Sequence, residues 1–149
     1  MSDEERPLNE RGNRDAPVMG KRLKSRGIKP DILISSPALR AQATALKIAA
    51  EIGYSEEIIQ IDEKLYFDGT NGMLAVIHSI ATEVNTAILF GHNPTMTQMV
   101  NYLASADIHN MPTCGVAAIK FSIESWKEVE GGLGKLQLFD YPKRIAADL

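Results

Sequence analysis

Asp31-Ile-Leu-Ile-Ser35 runs without a break into Ser36-Pro37-Ala-Leu-Arg40-Ala-Gln-Ala-Thr44, and this junction decides the fold. The first run is short, apolar and bounded by Pro30 and Pro37, which suits a buried strand. The second continues, rich in Ala and Leu, to Ile52; Ser36 as N-cap, Pro37 at the first helical position and Gly53 beyond the end predict a helix over 37–52. The same alternation recurs downstream. A strand over Ile58 to Ile61 precedes a helix around Met73 to Ile80, and a strand over Thr86 to Phe90 precedes a helix from Pro94 to Leu103. Upstream, Asn9 caps a helix with Ala16, Met19 and Leu23 on its apolar face and Gly27 as its stop; Pro17 is expected to kink it or delay its start. Gly115 to Ser122 and Lys135 to Tyr141 read as two strands of a hairpin, joined through Gly131-Gly-Leu-Gly134.

Strands that alternate with helices imply a mainly parallel sheet covered on both faces, so the expected fold is α/β: a three-layer α/β/α sandwich, with the hairpin adding an antiparallel member. The 149 residues, 44% of them hydrophobic, suffice for one substantial core, and a single domain over 1–149 is expected. The formal net charge of -3 and the scattered Lys and Arg argue against nucleic acid or an anionic membrane as partner. The single cysteine, Cys114, forms no internal disulfide, and the opening Met1 to Asn9 is polar, which together suggest a reducing cytoplasm. No apolar run approaches the ~20 residues that span a bilayer.

In sheets of this kind ligands sit beyond the carboxyl ends of the strands, and two of these places carry unusual residues. Arg40 lies in the first turns after the strand that ends at Ser35. A cation at a helix start is unfavourable alone, but with free backbone N–H groups and the helix dipole it suits a phosphate. The plainer reading is a surface Arg on an amphipathic helix. Phe90-Gly-His-Asn-Pro-Thr-Met96 is the second place, where Gly91 permits a tight exit, Asn93 is a good N-cap, and His92 is set at the sheet's edge. An imidazolium there would neutralise charge on a transferring phosphoryl group, whereas a His in a loop is otherwise merely solvated. His78, beside an apolar helix face, and His109, in a polar loop, read as structural or solvated. The three His show no paired ligand spacing, so neither a metal nor a cofactor is expected.

Three motifs in order resemble those of the histidine phosphatase superfamily. Arg6-Pro-Leu-Asn-Glu-Arg-Gly12 is similar to its R-P-L-T-x-x-G opening, Ser35 to Thr44 to its S-S-P-x-x-R-A-x-x-T block, and Gly91-His-Asn-Pro94 to its G-H-N-P block. The short length without a helical cap insertion resembles the phosphohistidine phosphatases of the SixA type. The resemblance implies a phosphoglycerate-mutase-like sheet, hydrolysis of phosphohistidine on a protein, and a phosphate pocket with Arg40 and His92 as catalytic groups, Asn93 joining them in binding the substrate. The family's first strand, which ends in Arg-His and supplies the nucleophile, has no counterpart here, and no Arg-His pair occurs in the sequence. Met1-Ser-Asp-Glu-Glu-Arg-Pro7 reads like the interior of a family member just before its first helix, as a start at an internal Met would produce. By the resemblance the missing strand would lie between the strands ending at Phe90 and starting near Gly115. Weak or absent turnover is therefore expected, together with either reduced stability or another segment or chain filling the slot. Glu63 and Asp68 fall where related enzymes carry a general acid, though an imidazole leaving group has less need of one. The rival readings are a non-catalytic binder of phosphate or phosphohistidine and a receiver- or flavodoxin-like module; the latter lacks the acidic metal cluster that a receiver requires.

Overall fold

A computed structural model describes residues 1–144. Helix α1 spans Glu10–Ser25, and its start is fixed by Asn9, whose Oδ1 accepts the Gly12 N–H at 2.8 Å. Pro17 lies inside it and does not delay its start. The cap and the buried stripe of Ala16, Met19, Gly20 and Leu23 outweigh the one ladder bond that a proline forfeits. Strand β1 (Ile32–Ser35) leads into α2 (Leu39–Ile52), which ends at Gly53 in a left-handed conformation, φ 79°. The helix begins two residues later than Pro37, because the Ser36 hydroxyl accepts the Ala38 N–H in a tight turn and does not cap a helix starting at Pro37. Then come β2 (Gln60–Ile61), α3 (Lys64–Phe67), α4 (Gly69–His78), β3 (Ala87–Phe90), α5 (Thr95–Ala104), β4 (Val116–Phe121) and β5 (Gly134–Asp140). Only the last two residues of the expected second strand pair with β1; Glu56–Ile58 forms a 3-10 turn instead.

The strands form two ladders. The first is parallel, in the order β2-β1-β3, with Ile32 to Ser35 opposite Ala87 to Phe90; the second is the antiparallel pair β4-β5, with an irregularity at Ala118 and Ile119. Side-chain alternation shows that the ladders belong to one layer. Ile34 of β1, Leu89 of β3 and Ile119 of β4 join Met73, Val76, Ile77, Met99 and Leu103 of α4 and α5 in one core cluster. Leu33, Phe90, Val116 and Ala118 join Leu23, Ala45, Ile48 and Ala49 of α1 and α2 in the other. Helices thus cover both faces, giving the three-layer sandwich.

Between β3 and β4 the ladder is interrupted, and the burial follows. Leu33 and Ile34 of β1, which has neighbours on both sides, are 0% and 4% exposed. Ala87 to Leu89 and Val116 to Ile119 are equally apolar but only half-buried. Each of these two strands keeps one row of backbone groups outside the ladders.

Two long-range ties close the fold. Arg22 of α1 donates from Nη1 to the Asp140 carboxylate at 3.1 Å and to the Tyr141 carbonyl at 2.9 Å, and from Nη2 to the Pro142 carbonyl. On the α4 side, the Trp126 indole N–H donates to the Val84 carbonyl at 2.8 Å while its ring packs on the first cluster. Among the described residues no helix is long and apolar enough to cross a membrane.

Candidate functional site

The carboxyl ends of β1 and β3 lie side by side because their register pairs Ser35 with Phe90. The segments leaving them are joined at once: the Ser36 N–H donates to the Phe90 carbonyl, and His92 Nε2 meets the Ser36 hydroxyl at 2.8 Å. Ser36, fully buried, therefore orients the imidazole while its oxygen also takes the Ala38 N–H. The sequence pattern suggested only a cap for this residue.

Arg40, near the start of α2, has a side chain 19% exposed. Its Nη1 donates to the Asp3 carbonyl at 2.8 Å and its Nη2 to Asp3 Oδ2 at 3.0 Å. The same carboxylate oxygen accepts the Tyr66 hydroxyl at 2.6 Å, and Oδ1 accepts Arg6 Nη2 at 3.1 Å. The Tyr66 ring in turn stands edge-on to His92, with centroids 5.4 Å apart. Arg40 and His92 thus converge on one patch through Tyr66.

The electrostatics agree with this geometry. The hydrogen bond from Tyr66, followed by those from Arg6 and Arg40, lowers the Asp3 pKa to about 2. The same bond raises the Tyr66 phenol above its ordinary value. Burial, and after it the Arg40 charge, pushes His92 below its ordinary 6.5, which favours the neutral ring in the unliganded protein.

An oxyanion between Arg40 and His92 would favour the protonated ring and take up a proton on binding. Sulfate keeps its charge across this range, so its affinity is expected to rise as the pH falls from about 7.5 toward the ring's own pKa and to level off below it. Calorimetry in two buffers of different ionisation heat counts the proton, and zero uptake would show that the imidazole does not face the anion.

The remaining candidates separate clearly. Asn93, expected to bind substrate, accepts at Oδ1 from the Thr97 N–H and hydroxyl and donates one Nδ2 hydrogen to the Met111 carbonyl, which ties α5 to the following loop. His78 holds the Val129 carbonyl through Nε2 at 2.7 Å, and His109 is exposed. Glu63 and Asp68 are exposed, and among the described residues neither bonds to Arg40 or His92. They line, with Ile61 and Phe67, an open depression that includes neither Arg40 nor His92. Tyr66 and Asp3 were not singled out from the sequence, and Arg6 only as the first residue of the R-P-L motif. Asp3 and Tyr66 are 63 positions apart, a contact that no local pattern encodes.

Residues 2–66 match the histidine phosphatase superfamily (branch 1). A protein of Mycobacterium tuberculosis is 28% identical over 155 aligned positions, covering 96% of this chain and 93% of that one. A chloroplastic protein of Arabidopsis thaliana is 27% identical over 136 positions, and the match covers 86% of this chain but only 62% of the plant protein. Among solved structures, the SixA protein of Agrobacterium tumefaciens is 26% identical with a TM-score of 0.78, over 95% of this chain and 87% of that one. A protein histidine phosphatase SixA in complex with tungstate shares the fold, at 20% identity and a TM-score of 0.79, over the same shares of the two chains.

Proposed function

We infer that this chain, whose residues 2–66 match the histidine phosphatase superfamily, is a member of it, that Arg40 and His92 clamp the phosphoryl group of a phosphorylated protein histidine, and that these 149 residues bind this group with little or no turnover. The observation that carries the reading is the convergence of the Arg40 guanidinium and the His92 imidazole beside Tyr66, at the carboxyl ends of two adjacent parallel strands. A guanidinium fork neutralises two phosphoryl oxygens, and an imidazole that gains a proton as charge builds donates to another. Neither group attacks phosphorus, and covalent transfer needs a nucleophile in line with the leaving group.

A second reading, a non-catalytic phosphohistidine binder, is favoured by the positions of the other two histidines. His78 is bonded to Val129 and His109 lies on an exposed loop, so among the described residues no histidine besides His92 stands at the site. The lone Cys114 suits a reducing compartment.

Both readings require oxyanion binding through Arg40. Arg40→Ala is expected to weaken tungstate binding by about 10- to 100-fold, the worth of one or two charge-assisted hydrogen bonds. Equal affinity of variant and parent in calorimetry would remove Arg40 from the site. Release of phosphate from a phosphohistidine peptide separates the readings, since a pure binder releases none above background.

A further inference from the structure

We propose that Arg6, Arg40 and Tyr66 form an oxyanion site in which the Asp3 carboxylate now sits in place of a phosphoryl group, making Asp3 a built-in competitor of the substrate. The inference rests on the reading of Arg40 and His92 given above and adds two ligands and a rival to it.

The donor set is that of an anion site, not of a simple ion pair. Three side chains from three separate segments aim at one carboxylate: Arg6 at Oδ1, Arg40 and Tyr66 together at Oδ2. Two guanidinium groups beside the start of a helix repel one another and the helix dipole unless an anion lies between them. Asp3 supplies it here. Arg40 and Tyr66 are built into the fold, whereas Arg6, whose side chain is 56% exposed, shares the acceptor's own turn. Arg40 is anchored on α2 with its side chain mostly covered, and Tyr66 lies in α3 against His92. The Asp3 side chain is 53% exposed and rides on a short turn, closed by bonds from Glu5 N–H to the Ser2 carbonyl and from Arg6 N–H to the Asp3 carbonyl. That turn docks on the fold through the Glu4 carbonyl, which accepts the Leu39 N–H. The carboxylate can therefore swing out by side-chain rotation while the backbone stays docked.

A carboxylate has two oxygens and a phosphoryl group three. Asp3 satisfies Arg6, Arg40 and Tyr66 but has no bond to His92, which is held by Ser36 instead. His92 stays available for the additional oxygen. The phosphoryl group and Asp3 use the same donors, so occupancy by one excludes the other, and the apparent affinity is reduced by the fraction of molecules in which Asp3 is seated.

Calorimetric titration of tungstate into the parent chain, Asp3→Asn, Asp3→Ala and Arg40→Ala tests this, with thermal melts to establish that each is folded. Both Asp3 variants are expected to bind about tenfold tighter than the parent, which corresponds to Asp3 being seated about nine-tenths of the time. Adding Tyr66→Phe to Asp3→Ala is expected to weaken binding again by about tenfold, because the phenol then no longer donates to the anion. Unchanged or weaker binding in both Asp3 variants, with Arg40→Ala still impaired, would overturn the competitor role and leave Asp3 as a positioning residue for Arg40. Tight binding by Arg40→Ala would instead sink the underlying reading of the site.

Discussion

Extension of the chain ahead of Met1 by an apolar strand that ends in Arg-His is expected to raise hydrolysis of a phosphohistidine peptide by at least about 10³-fold. In the proposed reading Arg40 and His92 bind and stabilise the phosphoryl group, and the group that forms a bond to phosphorus has to come from elsewhere. A histidine delivered there would attack phosphorus through its ring nitrogen while the bond to the substrate's imidazole breaks, and that imidazole would take up a proton. Water would then attack the phosphorylated histidine, release phosphate and restore the ring. The strand has a place to go, since β3 and β4 each keep one row of backbone groups outside the ladders and both contribute side chains to the same two cores. A residue there would be covered on both faces, so the extension needs apolar side chains throughout. The matched control ends in Arg-Ala. Its melting temperature is expected to rise as well, because the ladder and not the histidine supplies that gain. Phosphate release as fast with Arg-Ala as with Arg-His would refute the assignment of the nucleophile to this slot.

Arg22→Ala is expected to lower stability by about 3 kcal/mol, which for a domain of this size lowers the melting temperature by about 10 °C. Asp140 is 1% exposed, and its Oδ1 accepts from Arg22 Nη1 and from the Tyr141 N–H. Truncation of Arg22 leaves that carboxylate buried with, among the described residues, the Tyr141 N–H as a partner, and takes the Arg22 donors from the Tyr141 and Pro142 carbonyls as well. The change also severs α1 from the end of β5, two elements whose side chains meet in the second cluster. Denaturant melts measure the loss. If the cost is the unpaired charge, the double variant Arg22→Met, Asp140→Leu recovers most of it, because an apolar pair of similar volume carries no desolvation cost. A loss below about 1 kcal/mol in Arg22→Ala would mean that the tie is incidental.

The layer order was legible from the strand-to-helix junctions, because a buried parallel strand and the helix that follows it leave local signals: a short apolar run, then Ala and Leu at helical spacing, closed by Gly53. Boundaries were less legible wherever a side chain had a distant partner. Ser36 reads as a cap in isolation, yet it faces His92 across 56 positions, and α2 starts later as a result. Asn93 reads as an N-cap, but Pro94 takes that position in α5, while the Asn93 side chain accepts the Thr97 N–H and reaches the Met111 carbonyl, 18 positions on. The second strand shrank to Gln60–Ile61 because it is an edge, where pairing with a single neighbour rewards few residues. Of the candidate site, Arg40 and His92 were legible, each fixed by a turn at its own strand end. Tyr66 and the Asp3–Arg6 turn join it only through contacts between segments that sequence spacing does not link.

The chain has one tryptophan, and its indole is fastened to the Val84 carbonyl, on the approach to the amino end of β3, with its ring against the first cluster. The proposed oxyanion ligands gather past the other end of that strand, where the aromatic neighbour of His92 is Tyr66. Excitation of the indole therefore reads the packing of α4 and α5 on the sheet: its emission shifts to the red as that layer loosens and stays constant as the anion site fills. One optical signal thus follows unfolding without interference from ligand, leaving the phenol of Tyr66 to register the exchange of carboxylate for tungstate.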